Sequence, residues 1–214
     1  MGYYPLFLRL RGCPCLVVGG GPVGERKVRG LLQAEARVTV VSPRVTPGLA
    51  QLAREGRLQW RPRRYRPRDL RGMVLVFVAS GDRRLNSRIA DHCRRAGIWV
   101  NVADSPEESS FLVPAVVRRG QLQIAVSTGG NSPALAAFLK RRLEEDIGRE
   151  YNSLLTFLGE LRPWLKEILP DDQKKRAGAF RRLVADRVLW ELVARGDRKA
   201  ARERVAECIS EQWD

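Results

Sequence analysis

Apolar positions over the first 110 residues follow two alternating periods. Cys15–Gly20 is an unbroken apolar run with adjacent valines, and Arg37–Ser42, Met73–Ala79 and Ile98–Ala103 repeat the pattern, with Leu58–Arg61 a shorter version. Runs apolar on both faces predict buried strands of a parallel sheet. Between them apolar residues recur every three or four positions, over Val23–Ala34, Thr46–Glu55 and Arg83–Ala96, the last ending at Gly97, a residue suited to closing a helix. Strand and helix in alternation predict an α/β fold, a parallel sheet covered by helices.

The pattern then changes. Phe111–Arg118 and Gln121–Ser127 predict two strands joined through Arg119-Gly120 as a hairpin, and Pro114 predicts an edge position or a late start for the first. Ser132–Ile147 predicts a helix with Ser132 as N-cap and Pro133 behind it. From Tyr151 onward only helical spacing remains. Leu154, Leu155, Leu158, Leu161, Leu165 and Leu169 form one stripe, which Pro163 is expected to kink or restart. Ala179–Ala194 and Asp197–Ser210 predict two further helices around Gly196. These shifts place boundaries near residues 112 and 150.

Of 214 residues, 44% are hydrophobic, which supports a packed core. The apolar runs are far too short to cross a bilayer, and the first residues lack the pattern of a signal peptide. Four cysteines without zinc spacing, in a chain long enough to fold without disulfides, point to a reduced cytoplasm and to no metal site. The formal net charge of +15 favours a polyanionic partner, whether nucleic acid, anionic lipid or a small molecule.

One motif carries specific chemistry. Gly19-Gly20-Gly21-Pro22-Val23-Gly24 fits G-x-G-x-x-G between a predicted strand and a predicted helix. Gly19 permits the tight turn, Gly21 lets the backbone approach a pyrophosphate, and Gly24 permits close packing of helix on strand. The pyrophosphate then sits at a helix N-terminus, with Pro22 and Val23 opening the helix. The acid that usually ends the second strand is missing: the chain reads Val41-Ser42-Pro43-Arg44. Ser42 can bond a ribose hydroxyl and Arg44 can meet a 2′-phosphate, so NAD and NADP both stay open at this point.

Four segments, taken together, resemble a known family: Gly-Gly-Gly-Pro-Val-Gly-Glu-Arg-Lys at 19–27, Asn-Val-Ala-Asp at 101–104, Ser-Phe-Leu-Val-Pro-Ala at 110–115, and Ala-Val-Ser-Thr-Gly-Gly-Asn-Ser-Pro at 125–133. They look like the sirohaem synthase family, precorrin-2 dehydrogenase with or without sirohydrochlorin ferrochelatase. The match runs from about Tyr4 to Leu143. The resemblance implies a Rossmann-type NAD-binding domain (1–112), a small α+β dimerisation region (113–150) and a C-terminal helical domain (151–214). It implies a homodimer that oxidises the polyanionic tetrapyrrole precorrin-2 with NAD and, in bifunctional members, inserts ferrous iron. The fused methyltransferase domain of some relatives is expected to be absent.

The resemblance makes Asp104 the catalytic residue. At the carboxyl end of the predicted strand Ile98–Ala103, a carboxylate can act as general base; a loop-capping Asp before Ser105-Pro106 is the plainer alternative. Ala79 and Ser80 close another strand on the same rim, where contacts to cofactor are expected. Ser127, Thr128, Gly129, Gly130 and Asn131 form a second glycine-rich loop, readable as an anion nest for substrate carboxylates or as a simple helix cap. His92, the only histidine, is expected to be a surface or packing residue. A dinucleotide-sensing, nucleic-acid-binding regulator is the competing reading, suggested by the basic tail (Arg181, Arg182, Arg187, Arg195, Arg198, Arg202, Arg204). Its interleaved acids and missing helix-turn-helix signature argue against it.

Overall fold

The computed structural model describes residues 2–170 and 172–210. They pack as two compact units that meet in sequence between Val113 and Pro114.

The first unit contains β1 (Pro14–Val18), α1 (Pro22–Gln33), β2 (Arg37–Val41), α2 (Pro47–Arg54), β3 (Gln59–Arg61), β4 (Leu75–Val78), α3 (Arg83–Arg95) and β5 (Trp99–Val102). All five strands are parallel, in the order β3-β2-β1-β4-β5. The continuous apolar runs have their cause here. β1 and β4 lie between neighbours, and every residue of Cys15–Val18 and Leu75–Val78 is buried. Their side chains alternate between two cores. Cys15, Val17, Val38, Val40, Leu75 and Phe77 pack with Val28 and Leu31 of α1 and Leu49 and Leu52 of α2. Leu16, Val18, Val41, Val76, Val78, Val100 and Val102 pack with Ile89, Ala90 and Cys93 of α3. Helices thus cover both faces, a doubly wound sheet whose order reverses between β1 and β4.

The far edge of the sheet is pinned by charge. The enclosed Asp69 carboxylate takes hydrogen bonds from Arg61 of β3 (2.9 Å), Arg63 (2.6 and 2.8 Å) and the Arg66 N–H (2.9 Å). Beyond β5 the chain doubles back. The Ser110 and Ser109 hydroxyls accept from the Val100 and Val102 N–H groups (2.7 and 2.9 Å), which covers an edge that would otherwise stay open.

The second unit holds the antiparallel hairpin β6 (Ala115–Arg119) and β7 (Leu122–Val126), then α4 (Pro133–Asp146), α5 (Glu150–Ile168), α6 (Gln173–Ala185), α7 (Arg187–Arg195) and α8 (Arg198–Ser210). Leu154, Phe157, Leu161, Leu165, Leu183, Leu189 and Val205 form its helical core. Three local expectations are corrected. The hairpin loop is Gly120-Gln121, because Arg119 pairs with Leu122 and Gly120 takes the left-handed conformation (φ 59°). Pro163 does not restart the helix: it lies inside one helix assigned from Glu150 to Ile168, with Leu161 and Leu165 buried on either side of it. The segment Ala179–Ala194 is two helices, because Asp186 leaves helical geometry and caps the second by accepting from the Leu189 N–H (2.7 Å).

Candidate functional site

The carboxyl ends of β1, β4 and β5 are held level by hydrogen bonds that continue past each strand. The Gly19 N–H donates to the Val41 carbonyl (3.1 Å), Ala79 N–H to Val18 (2.8 Å) and Ala103 N–H to Val78 (2.8 Å). The loops that follow therefore share one rim, at the crevice where open α/β sheets bind ligands.

The glycine loop is pressed against two neighbours. Gly19 has φ 117°, and a Cβ there would drive into the Ala79 carbonyl and approach Ser80 N. A Cβ on Gly20 would strike the Arg44 carbonyl, and one on Gly24 the Gly19 carbonyl. Thr46 N–H donates to the Gly20 carbonyl (2.9 Å), so the loop after β2 is tied to the same turn. Gly19, Gly24, Ala79, Ser80 and the Arg44 backbone are thus gathered at one place. Gly20, missing from the motif's three consensus positions, belongs with them.

Gly21 differs. No atom lies within 4 Å of a Cβ built on it, and it is the N-cap of α1 with no side chain satisfying the first turn. Pro22 and Val23 follow as the first helical residues. Open space, free N–H groups and a helix dipole suit a pyrophosphate, so the residues present fit a dinucleotide.

The loop after β2 is locked internally. The Ser42 hydroxyl donates to the Arg44 carbonyl (2.6 Å), and the Trp60 indole N–H donates to the Ser42 carbonyl (2.9 Å). The Ser42 proton is committed, while its oxygen keeps acceptor capacity for a ribose hydroxyl. Pro43 and Arg44 are exposed. Thr46 donates to Glu25 (2.5 Å) while accepting from Leu49 N–H (3.2 Å). The hydrogen bonds from Thr46 and Arg29 hold the Glu25 carboxyl below its usual range. Glu25 thereby joins α1 to α2 around the loop, a role visible only in three dimensions.

Asp104 is exposed and has φ 59°, the left-handed region that Asp tolerates better than most residues. A tight turn closes beneath it, with Ser105 N–H donating to the Val102 carbonyl (3.3 Å). Residues in such conformations gather at functional sites. Two phenyl rings lie nearby at the end of β4. Phe77 meets Phe111 edge-on (5.5 Å between centroids), and the Lys27 ammonium of α1 lies 5.3 Å from the Phe77 centroid.

Ser127–Asn131 lies in the second unit. Gly129 and Gly130 are both left-handed (φ 64° and 88°). The Gly129 N–H is already taken by the Ser127 hydroxyl (3.2 Å). Thr128 donates to the Ser132 carbonyl (3.0 Å), and Asn131 N–H to the Thr128 carbonyl (3.1 Å). The Ser132 hydroxyl caps α4 by accepting from Leu135 N–H (3.1 Å). His92 sits on α3 with its Nδ1 3.3 Å from the Tyr65 hydroxyl. Among the described residues no group of three or more His, Cys, Asp or Glu is gathered to hold a metal ion.

Sheet order, glycine turn and open helix N-terminus define a Rossmann-type α/β protein. The family described as "Putative NAD(P)-binding" matches residues 6–115, and that described as "Sirohaem biosynthesis protein central" matches residues 119–145. The chain belongs to the first of these, the NAD(P)-binding family. It is 39% identical over 212 residues to "Siroheme synthase 1" of Aeromonas salmonicida, covering 99% of this chain and 45% of that protein. It is 40% identical over 206 residues to "Siroheme synthase" of Methylobacillus flagellatus, covering 96% and 44%. The chain thus spans less than half the length of these curated relatives. Among solved structures it matches "SirC, precorrin-2 dehydrogenase" with a TM-score of 0.74 and 27% identity, over 98% of this chain and 100% of that one. The nucleic-acid-binding alternative gains no support from these matches. Among the described residues no helix is long and apolar enough to cross a membrane.

Proposed function

We propose that this chain catalyses the NAD-dependent dehydrogenation of precorrin-2 to sirohydrochlorin in sirohaem formation, with the cytoplasm as its setting. The observation that carries this reading is the left-handed Asp104 at the end of β5, on the same rim as an open glycine turn. The full-length likeness to a precorrin-2 dehydrogenase supports it.

Bound NAD supplies the hydride acceptor. The N–H groups of Gly21, Val23 and Gly24 would hold its pyrophosphate, Ser42 and Arg44 would border its adenosine ribose, and the backbone of Ala79 and Ser80 would border the crevice. Asp104 takes the proton that the macrocycle releases as its hydride departs, so two electrons and two hydrogen nuclei leave together. Ser127, Thr128, Gly129, Gly130 and Asn131 are the proposed substrate contacts. For the second activity, ferrous iron enters as substrate, and Asp104 is the proposed acceptor of the pyrrole protons it displaces. A homodimer is proposed, with region 113–150 as the interface; the exposed Leu135, Phe138 and Leu139 of α4 support this.

The test is direct. Pure protein is incubated with precorrin-2 and NAD, and then with ferrous iron, while the tetrapyrrole absorbance is followed. Sirohydrochlorin must form only with the nucleotide present; no turnover ends this reading. Iron insertion above the uncatalysed background, lost in Asp104→Asn, is required for the second activity, and without it the chain is a dehydrogenase alone. Sedimentation as a monomer at micromolar concentration would contradict the dimer.

A further inference from the structure

The glycine turn and the loop after β2 are tied to one another through the carboxylate of Glu25. Glu25 lies in the first turn of α1, where its N–H donates to the Gly21 carbonyl (2.9 Å). Its two oxygens are divided. Oε2 accepts from the Thr46 hydroxyl (2.5 Å), 21 residues away in the chain. Oε1 accepts from Nε (2.9 Å) and Nη2 (2.5 Å) of Arg29, one helical turn on. The Glu25 side chain is only 20% exposed, so these bonds are partly shielded from water.

Thr46 carries the tie onward. It caps α2 by accepting from the Leu49 N–H (3.2 Å), and its own N–H donates to the Gly20 carbonyl (2.9 Å). Gly48 leaves room for this approach, since a Cβ there would meet Glu25 Oε1 and Arg29 Nη2. The bonds therefore close a circuit from Gly20 through Thr46 and Glu25 to Gly21. The other end of the loop is held independently, by Trp60 on the Ser42 carbonyl (2.9 Å). Both Glu25 oxygens face protein donors, so Glu25 acts on the ligand site through Thr46 and not by touching it.

A dinucleotide is gripped at two places, with its pyrophosphate at the turn and its ribose at the loop after β2. Ordering the two at their proper spacing costs affinity unless the protein has done so beforehand. A carboxylate suits that task, because charge-assisted hydrogen bonds are stronger than neutral ones. We propose that Glu25 is a positioning residue for the dinucleotide: through Thr46 it fixes the adenosine-side loop against the glycine turn, and dinucleotide affinity depends on that tie. The proposal rests on the nucleotide-binding half of the dehydrogenase reading, and it can be tested without precorrin-2. Neither the G-x-G-x-x-G motif nor the end of the second strand marks Glu25 for this role.

Calorimetric titration of the full chain with NAD and with ADP tests it. Glu25→Ala should weaken both ligands about tenfold, because ADP presents the same ribose and diphosphate. Glu25→Gln, which keeps the shape without the charge, should weaken both about threefold, and it carries the test if the alanine variant fails to fold. Thr46→Val removes the other end of the tie, and adding Glu25→Ala to it should cost less than about twofold more. Thr46→Ser, which keeps the hydroxyl, should bind as the parent does. In turnover the loss should appear in KM for NAD and not in kcat. Parental affinity for NAD and ADP in a folded Glu25 variant overturns the proposal. So does a loss confined to NAD, which lies outside the adenosine side, and so do additive losses in the double variant, which deny the route through Thr46. A parent protein that binds no NAD ends the dinucleotide reading itself, whereas a parent that binds NAD beside variants that bind it equally well ends this proposal alone.

Discussion

Ser80 and Asn86 exchange two hydrogen bonds: the Ser80 hydroxyl donates to Asn86 Oδ1 at 2.5 Å, and Asn86 Nδ2 donates to the Ser80 carbonyl at 3.0 Å. Asn86 is buried on the second turn of α3, so the helix fixes the loop that closes β4. The pair commits the Ser80 hydroxyl and carbonyl to the protein itself. Asn86→Ala should leave the Ser80 carbonyl without this donor, with the hydroxyl held only by the Asp82 backbone (3.3 Å), and cost about 1–3 kcal/mol of stability. It should also weaken NAD binding, since the loop against Gly19 loosens. Urea unfolding and calorimetric titration measure the two effects; unchanged values in both would refute the tether.

The glycine turn predicts two different failures. Gly21→Asp has room for its side chain but places a negative charge where the pyrophosphate belongs, so the protein should fold normally and lose NAD binding. Gly19→Ala meets the Ala79 carbonyl and a positive φ, and should lose at least about 1 kcal/mol of stability before any question of ligand arises. Circular dichroism melts beside NAD titrations separate the two. A Gly21→Asp protein with parental NAD affinity would show the turn to be structural only.

Asp104→Asn is the sharper test of the acid. Asparagine keeps the shape and tolerates the left-handed backbone, whereas alanine adds strain there. The variant should retain fold and NAD binding while kcat for precorrin-2 oxidation drops by about 10²–10⁴. Single-turnover absorbance measures it, and a rate near the parental value removes Asp104 from the chemistry.

Asp69 sets an acid limit on stability. Burial alone would raise its pKa, but hydrogen bonds from Arg63, the Arg66 N–H and Arg61 outweigh it and hold the carboxyl at about 2, against 3.8 unfolded. A depressed folded value means stability that is present above the unfolded pKa and lost as pH falls through the window from about 4 to about 2. The carboxylate's share is about 2 kcal/mol. Urea midpoints between pH 5 and 2 should fall less steeply for Asp69→Asn, which starts from a lower plateau. Parallel curves for the two proteins would contradict this.

Much of the first unit was legible in the chain itself. A strand buried on both faces can only be written as a continuous apolar run, so β1, β2, β4 and β5 declare themselves. G-x-G-x-x-G is equally local, because its glycines answer to a turn and a packing distance within a few residues. The ends of the helical tail were less legible. Pro163 stays helical because distant side chains pack around it, and Asp186 splits a predicted helix by capping its second half. The pairings at the site were not legible at all. Ser80 with Asn86, Glu25 with Thr46 and Gly20 with the Arg44 carbonyl each join groups from separate elements, and periodicity carries no information about which loop lands beside which. The sequence by itself determined the alternation of strands and helices, the glycine turn and the acid after the fifth strand. Only the tertiary structure decided which groups hold that turn open, because those contacts exist only after the sheet has set its strand order.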